Sequence, residues 1–263
     1  MKQKIKRWLK PVSTQATAPN AAPTFSCPLC ASTHRPMPFP VALLEDLHRH
    51  QFKHNILLTE TVNFAQYACS HCLATDRDRL YALYLQDWFN NNAGEKKVLE
   101  IGPSGPIRKW LSALTNISYR CADLFRTDVD DNVDITDMQR YADNSFDVVI
   151  CSHVLEHVGD DRTAMKELCR ILHPNGIGII MVPINLGVSV TEEDPDCTDI
   201  AQRWHRFGQD DHIRMYSKAD YIERLQAAGF TVTLLDETHF GKPVFAQHGI
   251  FPTSVLYITT KSA

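Results

Sequence analysis

The 263-residue chain has no apolar run near the ~18 residues that a membrane-spanning helix needs. Its first residues are charged and carry no apolar segment of the kind found in secretory leaders, which points to a cytoplasmic location. A basic surplus is missing too, with 27 Lys and Arg against 31 Asp and Glu. Five of those bases, Lys2, Lys4, Lys6, Arg7 and Lys10, sit in the first ten residues with no acid among them. The rest of the chain therefore holds 22 bases and 31 acids. A body of that sign disfavours a nucleic-acid partner, because phosphate backbones are bound largely by electrostatics. Glycine is sparse at 11 residues, so a glycine that breaks an apolar run marks a turn. Core material is not lacking: 44% hydrophobic and 22% charged residues suit an α/β domain of about 180 residues with a small module beside it.

What is present is most informative between Val98 and Pro106. Val98, Leu99 and Ile101 make a short buried strand carrying one acid, Glu100, which breaks at Gly102 and Gly105 before a helix over Ile107 to Leu114. A strand, a glycine turn and a helix N-terminus form the place where α/β proteins bind nucleotide-like ligands. A second strand, Ile117 to Ala122, ends in Asp123, an acid placed to take ribose hydroxyls. A short extended segment holds Asp134 and Ile135, and a fourth strand from Phe146 delivers Cys151, Ser152 and His153 at its end. Asp161 to Leu172 reads as a helix, Pro174 to Gly176 as a turn, and Ile177 to Val182 as a fifth strand. Ser217 to Ala228 is an amphipathic helix stopped by Gly229, followed by strands Phe230 to Leu235 and Ser254 to Thr259.

These elements, in this order, resemble the class I S-adenosylmethionine-dependent methyltransferases of the HVLEHV type, from about residue 97 to the C-terminus. The signature runs through the Leu99 to Gly102 turn, Asp123, the stretch His153 to Val158, and Leu172 to Gly176. The resemblance implies a Rossmann-like, mostly parallel seven-stranded sheet with helices on both faces and an antiparallel last strand. It implies that Glu100, Gly102 and Gly105 contact the amino-acid end of the cofactor, that Asp123 holds the ribose, and that Asp134 and Ile135 hold the adenine. Ser152 then lies on the cofactor side, and Cys151, Ser152 and His153 face the methyl group and the acceptor. His153 titrates in the range of a general base. His157 reads as structural. Pro103 and Pro106 stiffen the first turn, and its third glycine is absent, which departs from the usual pattern.

The N-terminal part is organised differently. Residues 1–24 read as a basic tail and a flexible linker, with a short amphipathic stretch over residues 1–10 able to touch a membrane surface weakly. Residues 25–76 hold two Cys-x-x-Cys knuckles, Cys27 with Cys30 and Cys69 with Cys72, separated by 38 residues. Four thiolates close a tetrahedral site with no open position, so the expected metal is a structural Zn2+ in a zinc-ribbon-like module. Between the knuckles Val41 to Phe52 reads as a helix and Thr61 to Ala68 as a strand. The module has too few apolar residues to fold alone, which suits a metal staple. Residues 77–95 form a connecting helix, with Arg77 and Arg79 as solvated charges, and residues 96–263 form the catalytic domain.

Thr191 to Tyr216, inserted after the fifth strand, is rich in Glu, Asp, His, Arg, Trp and Tyr and shows no core pattern, so it reads as a loop suited to a substrate lid. The paired knuckles, the His153 stretch and the run Gly208 to Arg214 are together similar to a subgroup of bacterial methyltransferases with an N-terminal zinc-ribbon-like module. Some of that subgroup accompany surface-polysaccharide genes. That resemblance places His212 and Arg214 on the substrate side. The expected activity is O- or N-methylation of a small-molecule or glycan-type acceptor. Two other readings are a ribosomal or transfer RNA base methyltransferase with a zinc module and a cofactor-binding scaffold without turnover.

Overall fold

The computed structural model describes residues 24–262. The basic tail expected over residues 1–10 and the linker up to residue 23 lie outside the described residues, and no described helix is long and apolar enough to cross a membrane.

Seven strands form the central sheet. They are β1 (Lys96–Ile101), β2 (Ile117–Asp123), β3 (Asp131–Asn132), β4 (Phe146–Ser152), β5 (Leu172–Met181), β6 (Phe230–Leu235) and β7 (Leu256–Lys261). Their spatial order is β6-β7-β5-β4-β1-β2-β3. Pairs among β1 to β5 are parallel, while β7 runs antiparallel to both β5 and β6. Strands β1 and β4 are direct neighbours, with Ile101 opposite Cys151, so the chain leaves both at one edge. There the strand order reverses, and open parallel sheets bind ligands outside the carboxyl ends at such a point.

The near-continuous apolar runs of β1, β4 and β5 are what a strand covered on both faces requires. Val98, Leu99, Val148, Val149, Ile150, Ile179 and Ile180 are all buried. Helices α2 (Asp76–Asn91), α3 (Gly105–Leu111), α4 (Asp161–Ile171) and α6 (Lys218–Ala227) supply Leu80, Leu85, Ile107, Met165, Leu168 and Leu225 to the same core. Thr75 starts α2 with a capping box, its hydroxyl taking the Asp78 amide while Asp78 takes the Thr75 amide.

Four expectations need correction. The third strand is Asp131–Asn132, not the Asp134 and Ile135 segment, because its two residues pair with Ala122 and Asp123 at the end of β2. Pro174 to Gly176 is a bulge inside β5, with Phe146 opposite Leu172 and Val148 opposite Ile177. A Cβ on Gly176 would stand 2.6 Å from the Asp147 carbonyl oxygen, so the bulge needs glycine. Only Ala68–Cys69 of the expected Thr61 to Ala68 strand pairs, with Pro36–Met37. Asn63 turns the chain before it, its Oδ1 taking the Gln66 amide and its Nδ2 donating to the Gly249 carbonyl.

The fourth correction concerns the helix that follows. Arg79 is not solvated but fully buried, and its guanidinium donates to the carbonyls of Gln66, Tyr67, Ala74, His248 and Gly249. Its charge lies 4.1 Å from the Phe25 ring centre. A buried cation that saturates five carbonyls joins the cysteine segment to the C-terminal part of the body.

Candidate active site

The turn after β1 is shaped by a close approach. Gly102 sits at φ +61°, and a Cβ there would lie 2.8 Å from Cγ2 of Val154. Glycine is thus needed because the β1 and β4 exits run against each other. Glu100, buried at the end of β1, accepts the Ser104 amide at 2.8 Å and the Tyr119 hydroxyl at 2.5 Å. Burial pushes its carboxyl up to about 7. Ser104 caps α3 and also donates to Asp78 at 3.0 Å, which ties the turn to α2. A Cβ on Gly105 would meet nothing within 4 Å, so space lies open at the N-terminus of α3.

Asp123 closes β2, and both of its carboxylate bonds fall on Oδ1, from the amides of Phe125 and Arg126 at 2.8 and 2.9 Å. Beside it, Leu124 is 48% and Phe125 85% exposed, a large apolar surface at the sheet edge that sequence reading missed. Asp134 is exposed and accepts from the amide and hydroxyl of Thr136, whereas the Ile135 side chain is buried in the core. Ser152 ends β4 with its hydroxyl 2.8 Å from that of the buried Tyr81. Cys151 does not face the edge as expected: it is fully buried among the core residues.

His153 is the first residue past β4. Its backbone is left-handed at φ +57°, and its amide donates to the Met181 carbonyl at 2.8 Å. Histidine tolerates that region better than most residues, yet such backbone is stored strain typical of working sites. Its Nδ1 lies 3.4 Å from Oε1 of Glu156, which is fully buried. The Nε2 atoms of His157 and His212 lie 4.0 and 3.9 Å from that same oxygen. Neither carboxylate oxygen of Glu156 has a hydrogen-bond partner, and burial pushes this carboxyl up to about 8. Burial likewise drives His153 well below its ordinary value, helped by the nearby Arg77 charge, and takes His212 down to about 3.

Next to His153 opens a cleft of about 130 Å³, walled by Phe39, Leu43 and Phe52 on one side and by Phe207, Gln209 and His212 on the other. Arg77 and Asn185 also reach it. Arg77 is a second residue whose expected solvated role fails: its NH1 is buried with no hydrogen-bond partner. The first wall comes from the helix between the knuckles, α1 (Val41–Arg49), which carries Leu43, and from Phe39 and Phe52 just before and after it; the second comes from the Thr191 to Tyr216 insertion. That insertion is folded rather than a loop. Glu192–Glu193 pairs with Arg214–Met215, and helix α5 (Ile200–Phe207) ends at Gly208 in the left-handed region. Phe207, Ile213, Met215 and Tyr216 are buried, an apolar set spaced too irregularly to show as a core pattern. His50 stacks on Trp204 at 5.5 Å, and His205 Nδ1 donates to the Gln51 carbonyl, so α1 and α5 are held together.

Arg214 does not reach the cleft. It is buried with its guanidinium donating to the carbonyls of Leu155, Val158 and Gly159 and pairing with Glu193. Arg224 pairs with the same Glu193 and with Asp161. Bonds from Arg224 and then Arg214 lower the Glu193 carboxyl to about 2. A depressed carboxyl stabilises the fold above its unfolded value and loses that contribution as pH falls toward its folded value. The melting temperature should therefore drop as pH goes from 4.5 toward 2, and Glu193→Gln should flatten that acid limb; an unchanged limb would remove Glu193 from this role.

The four knuckle sulfurs converge, with Cys27 to Cys72 at 3.6 Å, Cys30 to Cys69 at 3.9 Å, and all four within 4.8 Å of one another.

A family model described as a methyltransferase domain matches residues 73–235. Among solved structures, a methyltransferase in complex with the Haloferax volcanii Trm112 activator is 17% identical, with 65% of this chain and 85% of that one covered and a TM-score of 0.46. The [4+2]-cyclase SpnF is 15% identical over 85% of this chain and 97% of that one, at a TM-score of 0.47. Phosphoethanolamine N-methyltransferase 2 of Haemonchus contortus, solved with S-adenosyl-L-methionine, is 17% identical over 64% of this chain and 40% of that one, at 0.41. No curated protein matches the chain in sequence.

Proposed function

The chain belongs to the methyltransferase-domain family as an S-adenosylmethionine-dependent methyltransferase, and on that premise we propose that it methylates an oxygen or nitrogen of a small-molecule or glycan-type acceptor. The observation that carries this reading is the cleft beside His153. One wall is aromatic and aliphatic, while Arg77, Asn185 and His212 supply polar groups, so an acceptor with an apolar portion and a polar reacting end fits it best. The unpaired Arg77 nitrogen offers an acceptor oxygen a buried partner.

The cofactor supplies a methyl group already activated on a sulfonium. The protein's part is alignment, exclusion of water and removal of a proton. Gly105 leaves room for the amino-acid end, Gly102 makes the turn whose main chain faces it, and Glu100 holds that turn through Ser104. Asp123, its Oδ2 uncommitted, takes the ribose hydroxyls. Asp134 and the Ile135 main chain meet the adenine, with Leu124 and Phe125 offering it an apolar face. Ser152 and Tyr81 border the methyl group, and His153 accepts the acceptor's proton. His212 contacts the acceptor side, and Arg214 positions the insertion that carries His212.

We also assign a structural Zn2+ to Cys27, Cys30, Cys69 and Cys72. Zinc–sulfur bonds of about 2.3 Å in a tetrahedron put the sulfurs about 3.8 Å apart. The observed 3.6 and 3.9 Å separations bracket that value.

Calorimetry with S-adenosylmethionine tests the cofactor site. The wild type should bind in the micromolar range, and Asp123→Ala should weaken binding by at least tenfold. No binding by folded, zinc-loaded protein would replace the enzyme reading with that of a scaffold.

A further inference from the structure

The cluster around Glu156 lies at the reactive edge, and methyl transfer as described above gives no role to Glu156 or His157. The tautomers of its histidines can be derived. His212 Nδ1 stands 3.1 Å from the Phe207 carbonyl oxygen, which can only accept, so Nδ1 carries the hydrogen and Nε2 keeps its lone pair. His157 Nδ1 stands 3.3 Å from the Asp211 carbonyl oxygen, and the same argument leaves its Nε2 lone pair free. Both Nε2 atoms lie near Glu156 Oε1, at 4.0 and 3.9 Å. Two imidazole lone pairs and the His153 ring, its Nδ1 at 3.4 Å, thus gather around a fully buried carboxyl group whose two oxygens both lack a hydrogen-bond partner. Such a group is costly unless something positive fills the space between. Histidine ligands of metals commonly donate their other ring hydrogen to a backbone carbonyl, as both histidines do here.

We propose that Glu156, His157 and His212 bind a divalent transition-metal ion that holds the acceptor hydroxyl for methyl transfer. Two imidazoles and one carboxylate favour ions such as Mn2+, Fe2+, Co2+ or Zn2+ over Mg2+. Donors about 2.1 Å from such an ion stand about 3.4 Å apart in a tetrahedron, so the cluster closes by about half an ångström on binding. Three ligands on one side leave open positions, and the cleft that His212 lines supplies what fills them.

The ion selects the acceptor, a step that rests on the methyltransferase reading. A coordinated amine has its lone pair tied up, whereas a coordinated hydroxyl can lose its proton and still hold lone pairs for attack. The reaction is therefore O-methylation. The acceptor oxygen forms a bond to the methyl carbon, the carbon–sulfur bond breaks with its electron pair staying on sulfur, and the hydroxyl proton passes to His153.

The test is a Co2+ titration of full-length, zinc-loaded protein, followed by visible absorption. One further equivalent should bind, with the weak bands of nitrogen and oxygen ligands and no thiolate charge-transfer band. Glu156→Gln should weaken that uptake at least tenfold, and His157→Gln, at a partly exposed ring, gives a second variant should the first not fold. No uptake by wild type, or equal uptake by both variants, would overturn the site. Calorimetry with S-adenosylmethionine on the same samples separates the two readings. Cofactor binding without cobalt uptake removes the ion alone, and cobalt uptake without cofactor binding removes the methyltransferase role while leaving the ion.

Discussion

Replacing His153 by asparagine is expected to lower kcat by about 10²–10⁴-fold while S-adenosylmethionine affinity stays within twofold of wild type. Asparagine is the sharper choice than alanine. The residue sits at φ +57°, where alanine carries a strain of about 1–2 kcal/mol and asparagine is tolerated. Asparagine also keeps the amide bond to Met181. The variant therefore isolates the imidazole from the backbone. A fall in kcat with unchanged cofactor affinity and melting temperature puts the imidazole on the acceptor. Full activity would mean that another group takes the proton, and a loss of cofactor binding would move His153 to the cofactor side.

The sheet was legible because its signals are local. Gly102 after an apolar run, Asp123 at the end of the next, and the step from β4 into His153 depend on neighbours within a few residues, and periodicity reports those. β3 was placed a few residues too late because a two-residue strand has no period to read. Arg77 and Arg79 were misread for a different reason. They stand beside Asp76 and Asp78, a pattern that favours solvated pairs, while the carbonyls that capture Arg79 come from residues 66, 67, 74, 248 and 249. Glu156 was missed for the same reason: it is an ordinary polar residue until the insertion folds over the β4 exit and brings His212 within 3.9 Å of it. The insertion hid its own apolar set, Phe207, Ile213, Met215 and Tyr216, among charges that Arg214, Arg224 and Glu193 neutralise in pairs.

The cysteine segment carries the other large expected effect. Its own apolar core is Phe25, Cys27, Cys69 and Ala74, far too small to offset the ordering of some fifty residues at roughly 1–2 kcal/mol each. Zinc in small four-ligand modules contributes about 10–16 kcal/mol of apparent binding energy, comparable to the whole stability of an ordinary domain. Cys69→Ser, or removal of the metal by a strong chelator, should therefore unfold the segment and not merely loosen it. The sheet from β1 to β7 is built from residues 96–261 and keeps its core, so a second, higher melting transition should survive. Phe39, Leu43 and Phe52 form one wall of the cleft, and Arg79 spans from this segment to Gly249. Losing the metal should then raise the acceptor KM by tenfold or more and leave S-adenosylmethionine affinity nearly intact, since Gly102, Asp123 and Asp134 all lie on the sheet side. Metal content, two-transition calorimetry and cofactor titration on one sample read all three consequences. A metal-free protein that melts in one transition at the wild-type temperature would end the staple argument. Simultaneous loss of cofactor binding would show that Asp78, through its bond to Ser104, passes the order of the cysteine segment into the β1 turn.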